Sequence, residues 1–184
     1  EHDSCGVGFV VNIKGQRSHK LVQQAFEIGL NLLHRGACGC EENTGDGAGM
    51  LLQLPHRFLR KAARLIGIAL PDDGRYGVGM VFLPRDPSER RRIEELCSRV
   101  VEEEGQILLG WRNVPTNHDS LGATAKSGEP IIQQLFVGQK ENGGQSSSLS
   151  RAKFERKLYV IRQRLGREVD VLELKERHLF YVAS

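Results

Sequence analysis

The sequence lacks any long apolar run. Glycine and charge interrupt its hydrophobic segments well short of the ~20 residues a helix needs to cross a bilayer. It also lacks the charged-then-apolar opening of a secretory signal. An initiator methionine is missing, so residues upstream of Glu1 are expected to have been removed or omitted. Cysteine is sparse. Cys5, Cys38, Cys40 and Cys97 match neither a disulfide scaffold nor a Cys-x-x-Cys zinc pattern. They fit a reducing compartment better than a secreted one. One-sided charge is lacking too: 26 basic against 23 acidic residues leave +3, too even a balance for a strong nucleic-acid footprint. No internal repeat is found. What remains is 184 residues, 39% hydrophobic and 27% charged, the composition of one globular domain or a large part of one.

Period and punctuation give the elements. Cys5 to Val11 reads as a buried strand and Asn12 to Gly15 as the turn ending it. From Ser18, the residues Leu21, Val22, Ala25, Ile28, Leu32 and Leu33 repeat at helical spacing, with Gly36 as the stop. A glycine-rich loop, His34 to Gly49, feeds a second strand at Met50 to Leu54. Pro55 opens a helix with Phe58, Leu59, Ala62, Leu65 and Ile66 on its face. Tyr76 to Leu83 reads as a strand. Asp86-Pro87 caps the clearest helix, with Ile93, Leu96, Cys97, Val100 and Val101 on one stripe and Gly105 closing it. Asp86/Arg90 and Glu95/Arg99 are placed to pair one turn apart on its solvated side.

Further strands follow at Gln106 to Trp111 and Ile131 to Gly138, and a polar loop at Lys140 to Ser148. A helix from about Ser150 to Gly166 turns Phe154, Leu158, Ile161 and Leu165 inward. Its outer face carries Arg151, Lys153, Arg156, Lys157, Arg162 and Arg164, a solvated face or a contact for an acidic partner domain. Strands at Val169 to Leu174 and His178 to Ala183 close the series. The class is α with β. The chain stops inside a predicted strand, so the domain is expected to continue past Ser184.

The stretch Cys5-Gly6-Val7-Gly8-Phe9 carries the chemistry. Removing Glu1 to Ser4 would leave Cys5 with a free α-amine beside its own thiol. That amine titrates near pH ~8 and is partly neutral, so it can act as a base. Nucleophile and base would then sit on one residue. Burial as a core thiol is the commoner fate of a cysteine at such a position. The glycines of the Thr44-Gly45-Asp46-Gly47-Ala48-Gly49 loop point to close backbone approach. A phosphate loop fits poorly, because the Gly-Lys-Ser/Thr ending is absent and a strand follows.

Cys-Gly-Val-Gly-Phe near the start, a helix running into His34-Arg35-Gly36 and the Thr44 to Gly49 loop stand together. So do Gly110-Trp111-Arg112 with Val114-Pro115, and Phe154-Glu155-Arg156 with Leu158. Together they resemble the glutaminase domain of the glutamate synthase large subunit, a class II, N-terminal-nucleophile glutamine amidotransferase. The form His34-Arg35-Gly36-Ala37-Cys38-Gly39-Cys40 is more similar to the pyridine-nucleotide-dependent enzymes than to the ferredoxin-dependent ones. The resemblance implies an α+β fold, the four-layer αββα sandwich, incomplete at its C-terminal end. It divides the chain into a leader, residues 1–4, and the first part of the amidotransferase domain, residues 5–184.

The same resemblance implies that Cys5 attacks the side-chain amide of L-glutamine and that its freed α-amine moves the proton. Arg35 is expected to shape the nucleophile's pocket, Asp46 to hold its loop, and Gly6 and Gly8 to allow close packing near the thiol. No metal is expected. Cys38, Cys40 and His34 make an incomplete zinc set and are read as structural. No cofactor is expected in this segment. FMN and an iron–sulfur cluster belong to the rest of such enzymes, with the synthase domains of the same chain and a small NAD(P)H-oxidising subunit or domain as partners. A cytoplasmic or plastid location is implied, with no nucleic acid and no membrane.

Two departures qualify this. While Glu1 to Ser4 remain, the Cys5 nitrogen is an amide and no base, so the chain reads as a precursor. The family's oxyanion-hole motif, an Asn-Gly pair in a His-Asn-Gly-Glu-like segment, is not found, and such a donor is worth roughly a hundredfold or more in rate. The isolated segment is therefore expected to be inactive or nearly so. Three other readings stay open: a different class II amidotransferase, a non-catalytic relic whose leader is retained, and a basic nucleic-acid module resting only on the Arg-rich helix faces.

Overall fold

The computed structural model describes residues 6–33, 41, 45, 47–140 and 148–183. The chain divides into two compact units, residues 1–53 with 117–128, and residues 54–116 with 129–184.

The second unit is built on an antiparallel sheet of β1 (Tyr76–Leu83), β2 (Ile107–Asn113), β3 (Ile131–Gly138) and β4 (Tyr181–Ala183), in the order β2-β3-β1-β4. Side chains alternate across a strand, so β1 serves two cores at once. Val81 and Leu83 face α3 (Pro87–Glu103) and α5 (Ser148–Glu168), together with Leu135 and Val137 of β3. Tyr76 and Phe136 project from the other face onto Leu59 of α2 (His56–Arg64) and onto Ile68 and Leu70. A strand covered on both faces reads as continuous apolar sequence, and β1 does. Gly77 has a packing role: a Cβ there would lie 2.5 Å from Leu158 Cδ1 of α5.

Helix α3 forms as its sequence dictates. Asp86 Oδ1 accepts from the Ser88 and Glu89 N–H groups at 2.8 and 2.9 Å, and Pro87 follows the cap. Gly105, at φ +71°, ends it while Gln106 N–H reaches back to the Val101 carbonyl at 3.0 Å. The expected ion pairs along this helix are replaced. Asp86 is occupied as the cap, the Arg90 guanidinium donates to the Pro84 and Arg85 carbonyls, and Arg99 meets Glu168 of α5 at 3.3 Å. A pairing that crosses to a neighbouring helix displaces the local one.

Helix α5 corrects two expectations. It runs through Gly166, which has open space around it and no positive φ. The residues 169–172 expected as a strand form a 3-10 turn. The cause is periodicity: Phe154, Leu158, Ile161, Leu165 and Val169 continue one helical stripe, and Val169 is wholly buried in the same core. Left-handed Glu173, φ +49°, ends the run. The last strand is correspondingly short. Two of the basic residues assigned to the outer face of α5 bind the neighbouring helix instead. Lys157 Nζ meets Glu104 at 2.8 Å, and Arg164 meets Glu104 at 2.9 Å together with Glu103 and Glu168. On α2, burial falls on Leu59 and Ala63, one turn apart, while Leu65 and Ile66 stay exposed.

The first unit contains α1 (His19–Asn31) and α4 (Ala123–Ser127), a short helix with no sequence signal of its own. Residues 6–12 and 47–54 have no strand ladder, against the expectation of two strands there. A small or apolar run forms a strand only when a partner strand completes its hydrogen bonds. Among the described residues none does so here, and Val7, Phe9, Val11 and Leu51 are exposed. The α+β class holds. One sheet, not two, is formed by the described residues.

Candidate active site

Cys5, Arg35 and Asp46 lie outside the described residues, as do His34, Cys38 and Cys40. Gly6 is described, and its neighbours are those of α1. Residues 6–8 run against the C-terminal half of α1. A Cβ on Gly6 would sit 3.0 Å from Leu32 Cδ2, and one on Gly8 would overlap Ile28 Cγ2. Leu32 and Ile28 are one helical turn apart and so share a face. The next residues after Leu33 lead to Arg35. The chain beginning at Gly6 and the helix leading to Arg35 are thus in van der Waals contact.

Glu41, in the glycine-rich loop, holds α4. Both of its carboxylate oxygens accept from the Thr124 N–H, at 3.1 and 3.2 Å. A carboxylate at a helix N-terminus complements the exposed N–H groups and the dipole. Sequence reasoning passed over Glu41, since α4 itself gave no signal.

The described thiol, Cys97, is wholly buried on α3. Burial, with a smaller contribution from the Glu94 charge, pushes it up to about 12. A thiol that stays protonated there is no nucleophile. Among the described residues, no group of three or more His, Cys, Asp or Glu side chains is placed to hold a metal ion. No described helix is long and apolar enough to cross a membrane.

The second unit has an open groove of about 640 Å³ between α2 and β2, lined by Ala62, Leu65, Ile66, Trp111, Arg112 and Gln133 among others. Arg112 donates to Gln134 Oε1 at 2.9 Å and lies over the Phe58 ring at 5.8 Å. Trp111 both packs on the helix-side core and lines the groove. Nearby, His56 Nδ1 and Tyr76 Oη are 3.1 Å apart. Burial, aided by the Asp73 charge, raises the Tyr76 pKa, so this hydroxyl serves as a neutral structural partner.

The chain belongs to the class-II glutamine amidotransferases: the family model matches residues 5–184 and begins on Cys5. Among individual proteins, it is 43% identical over 163 residues to the glutamate synthase [NADPH] large chain of Bacillus subtilis, covering 89% of this chain. It is 40% identical over its whole length to glutamate synthase [NADH] of Schizosaccharomyces pombe. It is 38% identical over 92% of its length to ferredoxin-dependent glutamate synthase 2 of Synechocystis. The chain spans about a tenth of the length of these relatives, 10%, 8% and 10% respectively.

Proposed function

We propose that the chain is the first part of the glutaminase domain of a glutamate synthase. One observation carries the reading: the family match starts at Cys5 and leaves Glu1 to Ser4 outside it. That is the boundary an N-terminal nucleophile requires. With residues 1–4 removed, the Cys5 α-amine takes the thiol proton and the sulfur attacks the side-chain carbonyl carbon of L-glutamine. The C–N bond breaks, and the leaving nitrogen takes the proton back and departs as ammonia. Water then cleaves the γ-glutamyl thioester, releasing glutamate and restoring the thiol. Arg35 and Asp46 order the loops around the thiol, and Gly6 allows the close approach. Cys97, buried and protonated, stands apart from this chemistry.

The complete domain in this reading is the four-layer αββα sandwich, with the sheet of the second unit as one of its two β-layers. The ammonia passes to the synthase domains, which add it to 2-oxoglutarate. FMN and an iron–sulfur cluster act in those domains, and electrons come from NAD(P)H through a partner subunit or domain. The location that follows is the cytoplasm or a plastid.

The test is glutamine-dependent ammonia release by the full-length natural chain and by its Cys5→Ala variant. The reading requires activity in the first and none in the second. Equal activity in both would overturn it. A native chain that retains Glu1 to Ser4 and releases no ammonia would favour the non-catalytic relic.

A further inference from the structure

We propose that Gly8 is a positioning residue for Cys5: its missing side chain is the socket for Ile28, and this contact sets where the nucleophile's segment lies. The inference rests on the glutaminase reading above and adds to it a residue that the chemistry alone does not require.

The geometry is a matched register. Gly6 meets Leu32 and Gly8 meets Ile28, so the segment and α1 run antiparallel. Two residues of extended chain advance about 6.6 Å, and one helical turn of four residues about 6 Å, so the contacts stay in step. Gly8 does not have the positive φ that would demand glycine for backbone reasons. What demands it is space. A Cβ on Gly8 would overlap Ile28 Cγ2, whereas the next nearest atoms, Ile28 Cβ and Cδ1, stand at an ordinary 3.6 Å. Ile28 cannot swing away at low cost, because a β-branched side chain in a helix has one strongly preferred χ1. At Gly6 the tightest atom, 3.0 Å away, is the far end of the more flexible Leu32. Gly8 is therefore the firm stop and Gly6 the softer one. Cys5 directly precedes Gly6, and Arg35 comes three residues after Leu32. A shift of α1 against residues 6–8 therefore acts on the residue bonded directly to Cys5.

A size-swap in the full-length natural chain tests this, using wild type, Gly8→Ala, Ile28→Ala and the double variant. Glutamine hydrolysis, inactivation by a glutamine-shaped chloroketone and Tm are measured for each. Gly8→Ala should lower kcat by about tenfold to a hundredfold, the size of loss a displacement near 1 Å brings. It should slow chloroketone labelling of Cys5 in proportion. The double variant should recover most of both, because removing Cγ2 empties the socket. Gly6→Ala should lose less, and Ile28→Ala should not rescue it. Gly8→Ala within twofold of wild type, or a double variant as slow as Gly8→Ala, overturns the inference. A Gly8→Ala loss that follows Tm alone, with labelling unchanged, overturns it as well. Absence of glutaminase activity in wild type is a different failure, that of the functional reading. The packing stop itself is then still read from Tm, low in Gly8→Ala and restored in the double variant.

Discussion

Replacing Glu89 should expose how the last strand is attached. Glu89 lies in the first turn of α3 and is 8% exposed. Its Oε1 accepts from the Lys175 N–H at 2.8 Å and its Oε2 from the Glu176 N–H at 3.0 Å. Glu176 returns the contact, Oε2 accepting from the Arg85 and Asp86 N–H groups at 2.6 and 3.1 Å. The two carboxylates clasp the start of α3 to the turn that delivers β4 to the sheet edge. A hydrogen bond to a charged acceptor contributes about 1.5–3 kcal/mol, so Glu89→Ala, which orphans two backbone donors, should cost about 3–5 kcal/mol. For a chain of this size that lowers Tm by about 10 °C. Glu89→Gln keeps one acceptor and turns an NH₂ toward the other backbone N–H, so about half the loss is expected. Thermal and urea unfolding of the three proteins provide the assay, with hydrogen exchange at Lys175 and Glu176 as the local readout. If Glu89 acted only as a negative charge near the helix N-terminus, alanine and glutamine would lose the same amount, about 0.3–1 kcal/mol. That equality, with unchanged exchange at the two amides, would refute the clasp.

Two other outcomes follow from the charges and the buried thiol. The Asp86 carboxyl is held below its usual range by the hydrogen bond from the Ser88 side chain, with the Glu89 N–H next. A depressed folded pKa adds stability that is present above the unfolded value, near ~3.9, and is lost as pH falls through the folded one. Asp86→Asn should therefore flatten the acid side of the stability profile in urea titrations across that range. Unchanged acid dependence would remove Asp86 from the account. Cys97, pushed up to about 12, should stay unmodified by iodoacetamide in the native state at neutral pH and react only on unfolding. Rapid native labelling of Cys97 would contradict its burial.

Most of the second unit was legible because local signals and burial agree there. Asp86-Pro87 and Gly105 bracket α3, and β1 is apolar on both faces because both are covered. Legibility failed where a local signal met a longer period. Gly166 looks like a stop, but the stripe from Phe154 to Val169 carries the helix past it. In the same way, Lys157 and Arg164 look solvated until the Glu103–Glu104 end of α3 is packed against them. In the first unit the strand expected at Cys5 to Val11 was an inference from a run of small and apolar residues. Its described residues lie against α1 with no ladder, so that run marked no strand. The family was legible from the combination of motifs in the sequence. Close packing at Gly8 was expected as well, but its partner Ile28 was not legible, because a glycine carries no trace in the sequence of what fills its empty side.

The central claim is that Cys5, once its α-amine is free, forms the acyl-enzyme. The most direct measurement is mass spectrometry of the full-length natural chain, acid-quenched during turnover of glutamine and digested. The account predicts an N-terminal peptide that begins at Cys5 and carries a γ-glutamyl thioester on it. Turnover of glutamine by a chain that still begins at Glu1, or with the adduct on another residue, would contradict it.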